Sequence, residues 1–367
     1  MKTISNARIV TADEEFFGVL SVKGEMISDV SRGATTACDA EDWEGDYLLP
    51  GMGELHTDNL EKHLMPRPKV KWPVLPAILA HDAQVAAAGI TTVLDGLAVG
   101  DIDSDSLRTQ TLEACSAGLR EAADAGALRA DHFLHVRLEL SDENLLELFD
   151  QFLHDDRLKL VSLMDHTPGQ RQWTDISQYR TYVTGKRGWS EQKVDTMLEL
   201  LLERQQRYAH SNRCKVIERC NQRLLPVPLA SHDDTTVAHV EEGVVNGISI
   251  SEFPTTFDAA RAAREQGLGI IMGAPNVVRG GSHSGNVSAA ALAQSDLLDV
   301  LSSDYVPASL LHAAFLLCEE GFSLPNAVAT VSRNPALMVG LVDRGEIAPE
   351  LRADFIRVRV MSGIPMV

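Results

Sequence analysis

The sequence predicts an α/β protein: a (β/α)8 TIM-like barrel with a small β-sandwich domain built from both chain termini. Three observations carry that prediction. Short apolar runs alternate with longer amphipathic stretches eight times between residues 48 and 305. Nearly every apolar run ends in an ionisable or polar residue. Both termini instead read as short strands broken by Gly, Asn, Asp and Pro, the composition of hairpins. An open doubly wound sheet competes, but no G-x-G-x-x-G follows an early strand.

In chain order, KTISNARIVT, GVLSVKG and EMISDVS are the first strands, and GEIAPELRADFIRVRVMSGIPMV supplies the last ones. Residues 1–50 plus 336–367 are expected to pair into the small domain, leaving 51–335 as the barrel. The barrel strands are expected at LLPGMGELH, TTVLDGLA, FLHVRLEL, KLVSLMDH, PLASHDD, GISISEF, GIIMGAP and DVLSSDY. Helical spacing follows in AILAHDAQVAAAG, which has a Gly stop, in TQTLEACSAGLREAADAG, and in SEQKVDTMLELLLERQQRYAH, where Ser190 is an N-cap candidate.

The chain has 367 residues, 44% of them hydrophobic, enough to bury a large α/β core. No apolar run reaches the length of roughly 18 residues needed for a membrane span, and the N-terminus lacks the apolar core of a signal peptide. The five cysteines are odd in number, widely spaced and without a CxxC, which predicts reduced thiols in a cytoplasmic protein. A net charge of −19 argues against nucleic-acid binding but leaves room for a small anionic ligand at a local basic cluster. A homo-oligomer is compatible with all of this.

In a barrel the C-terminal strand ends converge on one face. The residues sent there are His56 and Asp58; Asp95; Arg137 and Glu139; Asp165 and His166; His232, Asp233 and Asp234; Glu252; Asn276; and Asp304. His56 and Asp58 are two apart on an extended segment, so both project to one side. An imidazole and a carboxylate there, with Glu139 as a bridging carboxylate, His232 and Asp304, make a mixed nitrogen and oxygen donor set without thiolate. Such a set suits zinc, or alternatively manganese or iron, as one or two ions. Other readings stay open: His56 as a core histidine, Asp58 orienting His56, Glu139 paired with Arg137. Only one of Asp165 and His166 can face inward from a strand.

Basic groups form a second theme. Lys62 and Arg67 follow the first barrel strand, Arg171 the fourth, and Arg279 the seventh, in PNVVRGGSHSGN. There Gly280, Gly281, Ser282 and Gly285 are expected to form an anion nest of backbone N–H groups, with Ser282 and His283 adding donors. The two themes together call for a substrate of concentrated negative charge attacked by a metal-activated water. Asp304 would act as general base, and Arg and Lys would offset charge on a leaving phosphate.

LLPGMGELHTD resembles the first-strand signature of the amidohydrolase superfamily, PG-x-x-D-x-H-x-H, with Asp58 where the second histidine usually stands. More narrowly, ELHTDNLEKH, PRPKVKWP, SLMDHTPGQRQ, ASHDD, EFPTTFDAAR, MGAPNVVRGGSHSGN and LSSDYVPASLL resemble one branch of it. That branch comprises the diphosphatases of the carbon–phosphorus lyase pathway, which act on a ribose 5-triphosphate carrying a methylphosphonate at C1. The resemblance implies a hydrolase that releases diphosphate by attack at the α-phosphorus, with His56, Asp58, His232 and Asp304 as site residues. It implies Asp165, at the end of strand four where a metal-binding lysine is absent, and Glu139 as further metal candidates. Arg137, His166, Arg171 and Glu252 join the basic groups as substrate-binding candidates. An amide hydrolase or deaminase of the same superfamily, and a non-catalytic barrel scaffold, are the competing readings.

Overall fold

The computed structural model describes residues 2–35, 37–67, 70–100, 107–173, 176–282 and 285–367. The terminal strands form a sheet of their own. β1 (Lys2–Val10), β2 (Glu15–Lys23) and β3 (Met26–Arg32) form an antiparallel meander, and β4 (Glu41–Asp42) and β5 (Tyr47–Pro50) lie parallel to β1. The C-terminal strands, labelled last, are β14 (Phe355–Met361) and β15 (Ile364–Met366), and β14 pairs antiparallel with β5, Val358 opposite Tyr47. The seven strands make one sheet in the order β15-β14-β5-β1-β2-β3, with β4 beside β1. Period-2 alternation explains the pairing of the two termini. Ile356 and Val358 on β14 turn inward, while Arg357 and Arg359 reach Asp46 and Glu44. Ile4, Ile9, Leu20, Ile27, Trp43 and Leu48 fill the core of this sheet.

The barrel strands are β6 (Met52–Thr57), β7 (Ile90–Val99), β8 (Asp131–Glu139), β9 (Leu158–Met164), β10 (Leu229–His232), β11 (Ile250–Glu252), β12 (Gly269–Gly273) and β13 (Val300–Ser302). They form one eight-stranded sheet in sequence order, with helices between successive strands. A parallel bridge between Thr57 and Asp304 brings the last strand's exit beside the first and nearly closes the barrel. Every residue of β6, β10, β11 and β13 is buried, as expected for a parallel sheet covered on both faces.

Most expected barrel strands are shorter than the runs they were read from, and in two the cause is visible. LLPGMGELH is two strands: Pro50 ends β5 in the terminal sheet, and β6 begins the barrel at Met52. Gly51 makes the transfer. Its N–H donates to the Asp354 carbonyl at 3.0 Å, and a side chain there would run into Thr91 and Asp354. GIIMGAP ends as a strand at Gly273, because Pro275 starts the short helix Ala274–Val278. The helices follow expectation more closely. α1 (Asn59–Leu64) is followed by α2 (Val74–Ala87), which Gly89 terminates at φ +86°. Ser190 accepts a hydrogen bond from Lys193 N and caps the helix Glu191–Arg204. That helix does not stop near His210. It passes through a π turn, Gln205–Ala209, into the helix His210–Asn221.

The chain packs as two compact units, Met1–Asp95 with Gly118–His132 and Met272–Val367, and Gly96–Ala117 with Phe133–Ile271. Among the described residues no helix is long and apolar enough to cross a membrane.

Candidate metal centre

In the first unit the site starts from backbone register. Asp58 N donates to Asp304 O at 2.8 Å, and Asp304 N donates to His56 O at 3.0 Å. These two bonds fix the three residues relative to one another, and Asp304 meets them at φ +55°, in the left-handed region. One ligand atom from each of His56, Asp58 and Asp304 lies within 4.8 Å of the other two. His56 Nε2 is 3.9 Å from Asp58 Oδ1. His56 is buried, while Asp58 and Asp304 are half-buried.

Glu54 clamps this register from below. It accepts from His56 N at 2.7 Å, from Ser303 N at 2.6 Å and from the Ser302 hydroxyl. Complete burial pushes its carboxyl up from the ordinary value, and the Ser302 and Ser303 bonds offset only part of that. An imidazole and two carboxylates, drawn together without thiolate, fit a divalent cation: ligand bonds of about 2.0–2.2 Å need donor atoms this close.

The basic groups of this unit are placed less uniformly. Lys62 on α1 donates to the Tyr305 carbonyl, and its ammonium lies 5.2 Å from the centre of the Tyr305 ring. Arg67 is exposed and forms an antiparallel bridge with Val70. Arg279 is exposed at the end of the helix Ala274–Val278, and Ser282 is half-buried. The expected anion nest does not form at Gly280 and Gly281. Their N–H groups donate to Val277 O at 3.0 Å and to Asn276 O at 2.8 Å, because the glycines cap that helix. His283 and Lys69 lie outside the described residues.

In the second unit, His166, His232 and Asp233 each bring one ligand atom within 4.8 Å of the others. His166 Nδ1 is 2.7 Å from Glu139 Oε2, and its ring packs edge-on against His232 at 5.6 Å. Glu139 therefore reaches this set through His166. His232 Nδ1 lies 3.0 Å from Asp233 Oδ2 and its Nε2 lies 3.8 Å from Glu252 Oε2. Burial would lower the His232 imidazolium, but the Asp233 charge and hydrogen bond outweigh it and hold its pKa above the ordinary value. The Asp233 carboxyl is correspondingly held low by His232, against the upward push of burial. Glu252 also accepts from Ser162 Oγ at 2.8 Å, and Ser162 is 2.6 Å from His135 Nε2. Arg137 is buried on β8.

Two predicted site residues take other partners. Asp165 accepts from Thr167 N at 3.1 Å and from Gln205 Nε2 at 3.3 Å, so it forms a turn after β9 while His166 faces Glu139. Arg171 is buried, pairs with the fully buried Asp234 and donates to the His232 carbonyl at 3.2 Å. Asp234 also accepts from Ser231 and Ser251. Sequence reasoning left Asp233 and His166 out of the metal set. The run SHDD held the signal for Asp233; no local signal marked His166 as Glu139's partner.

No family model matches the chain. The alpha-D-ribose 1-methylphosphonate 5-triphosphate diphosphatase of Escherichia coli (strain K12) is 46% identical over 356 residues, which is 96% of this chain and 94% of that protein. Among solved structures, N-acetyl-D-glucosamine-6-phosphate deacetylase from Mycobacterium smegmatis superposes with a TM-score of 0.64 at 14% identity, covering 100% of this chain and 97% of that one. Dihydropyrimidinase from Brevibacillus agri superposes with a TM-score of 0.59 at 13% identity, covering 97% and 86%. Likeness at these identities shows a shared fold and nothing of the substrate.

Proposed function

The chain belongs to the alpha-D-ribose 1-methylphosphonate 5-triphosphate diphosphatase family, and from that premise we propose that it hydrolyses this ribose 5-triphosphate to the 5-phosphate and diphosphate, in phosphonate catabolism. The observation that carries the reading is 46% identity sustained over 96% of the chain. It favours a phosphoric anhydride substrate over the amide or deaminase reading. Water adds at the α-phosphorus, the bond to the oxygen bridging the α- and β-phosphorus atoms breaks, and diphosphate leaves with that oxygen.

His56, Asp58 and Asp304 are proposed to hold a divalent cation, which would lower the pKa of the attacking water and polarise the phosphoryl oxygen. Zinc suits the donors, with manganese or iron as alternatives. The set of His166, His232 and Asp233, steadied by Glu139, is proposed as a second holder. Asp304 takes the water proton, and its backbone bonds keep the carboxylate aimed while it does so. Lys62 exchanges the Tyr305 carbonyl for a phosphate oxygen, and Arg67, Arg279 and Ser282 offset charge that builds on the departing diphosphate. Arg137 and Glu252 are proposed as substrate-binding residues. Arg171 serves by holding Asp234 and the His232 backbone.

The test loads the purified protein separately with zinc, manganese and iron(II), supplies the ribose 5-triphosphate, and measures diphosphate. In 18O-labelled water the label should appear in the ribose 5-phosphate product and not in diphosphate. No diphosphate with any of the three metals would end this reading, and label in diphosphate would move the attack to the β-phosphorus.

A further inference from the structure

Around α1 the first unit buries more charge than the proposed chemistry uses. His81 and Asp82 on α2, Asp95 on β7 and His132 on β8 are all buried. Their hydrogen bonds link into one connected chain. Asn59 Nδ2 donates to Gln84 Oε1 at 3.0 Å and lies 2.9 Å from His81 Nδ1. His63 Nε2 lies 2.9 Å from the same Gln84 oxygen, so it is a donor and does not compete as an acceptor for Asn59. His81 Nδ1 therefore accepts, and its Nε2–H donates to Asp95 Oδ1 at 2.7 Å; the tautomer follows from the network. The other Asp95 oxygen accepts from His132 Nδ1 at 2.8 Å, and His132 Nε2 faces Asp82 Oδ1 at 3.5 Å. Asp82 is fastened in turn by Arg129 N at 2.7 Å, Ala130 N at 3.1 Å and the Arg129 guanidinium at 2.7 Å.

Burial by itself would lower the His132 imidazolium. The Asp95 charge and hydrogen bond, with the Asp82 carboxylate nearby, outweigh it and raise its pKa to about 9. With His132 protonated, two cations, His132 and Arg129, balance two carboxylates, Asp82 and Asp95. Asp95 stands 2.7 and 2.8 Å from the two rings, each oxygen on its own ring, which are hydrogen-bond lengths. Stability is a weak explanation, since well-packed apolar side chains often do as well as buried ion pairs.

What the chain holds is the start of α1. Six residues are too few for a helix to persist unaided, and Asp58 at its N-cap makes no side-chain capping bond. The Thr57 hydroxyl accepts from Asn59 N at 3.2 Å, and the Asn59 amide, gripped by Gln84 and His81, ties the first residue of α1 to α2.

We propose that His132, Asp95 and His81 form a positioning chain that fixes Asn59, and through it the first turn of α1 carrying Asp58 and Lys62, and so sets where the Asp58 carboxylate stands for a metal. The proposal rests on the assignment of Asp58 as a ligand made above. Asn59 and His81 touch no substrate in this scheme; they are positioning residues.

Titrating metal-free protein with zinc or manganese tests it, alongside kcat and KM. Asn59→Ala and His81→Phe should each weaken metal affinity 10–100-fold, the range typical for groups that orient ligands. Each should lower kcat with KM little changed, while far-UV circular dichroism stays parental. The double variant should lose no more than the worse single one, as expected of residues in one chain. Should His81→Phe not fold, His81→Gln takes its place. Parental metal affinity in both single variants, or losses that add, would overturn the proposal. Asp58→Asn separates the two levels. If it also binds metal normally, the ligand assignment itself fails; if it alone loses metal, only the positioning chain fails.

Discussion

Asp304 holds φ +55°, a backbone conformation that costs a non-glycine residue on the order of 1–2 kcal/mol. The cost is borne because its N–H and C=O are both bonded to the segment that carries His56 and Asp58. Asp304→Asn keeps that shape and removes the charge. Its kcat should fall by roughly 10²–10⁴-fold with the circular dichroism spectrum unchanged, and near-parental turnover would remove Asp304 from the chemistry. Arg171 presents the opposite case. The sequence marked it as a cation for phosphate, yet its guanidinium is engaged by the buried Asp234. Arg171→Met leaves that carboxylate without its cation and should cost about 3–5 kcal/mol in urea unfolding. A raised KM with unchanged unfolding would return Arg171 to the substrate.

At the scale of elements, strand ends were legible and strand limits were not. The C-terminal strands were expected from FIRVRV and its neighbours, and in β14 Ile356 and Val358 are buried while Arg357 and Arg359 meet Asp46. The Ser190 cap was equally readable, since a cap needs only neighbours three residues away. The division of LLPGMGELH was not, because it depends on where Asp354 and Thr91, distant in sequence, leave room for no side chain at Gly51. Gly51→Ala should disturb the Thr91–Asp354 hydrogen bond of 2.9 Å and lower stability by about 1–3 kcal/mol. A thermal midpoint equal to the parent's would show that the two side chains simply move aside. The glycines after β12 teach the same lesson. Composition suggested an anion nest, but the short helix before them claims their N–H groups.

For the molecule as a whole, the buried charges set a pH dependence. The His132 pKa is raised from 6.5 to about 9, so its contribution to stability is fully present below about pH 6.5 and is lost as pH rises through about 9. Asp82 and Asp95 are held low, so their contribution is present above the ordinary carboxylate range and is lost only as pH falls well below it. The unfolding free energy of the parent, from urea titrations, should therefore decline between pH 6.5 and 9.5 by an amount on the order of 1–3 kcal/mol, a slope that His132→Asn should flatten. Equal slopes in parent and variant would mean that His132 does not carry the effect.

The amino-acid sequence by itself determined the barrel, the sheet made from both termini, and the presence of His56, Asp58, His232 and Asp304 at strand ends. Those properties depend on local periodicity and on short spacing, which a single chain displays directly. Tertiary structure alone decided the partnerships: Glu139 with His166, Asp165 with Gln205, Arg171 with Asp234, and His81 with Asn59 and Asp95. Each joins residues 22 or more positions apart in the sequence, apart from the His81–Asp95 bond at 14. Which buried carboxylate meets which imidazole or guanidinium is settled by the packing that brings them together, since a buried charge must find a partner wherever the fold supplies one.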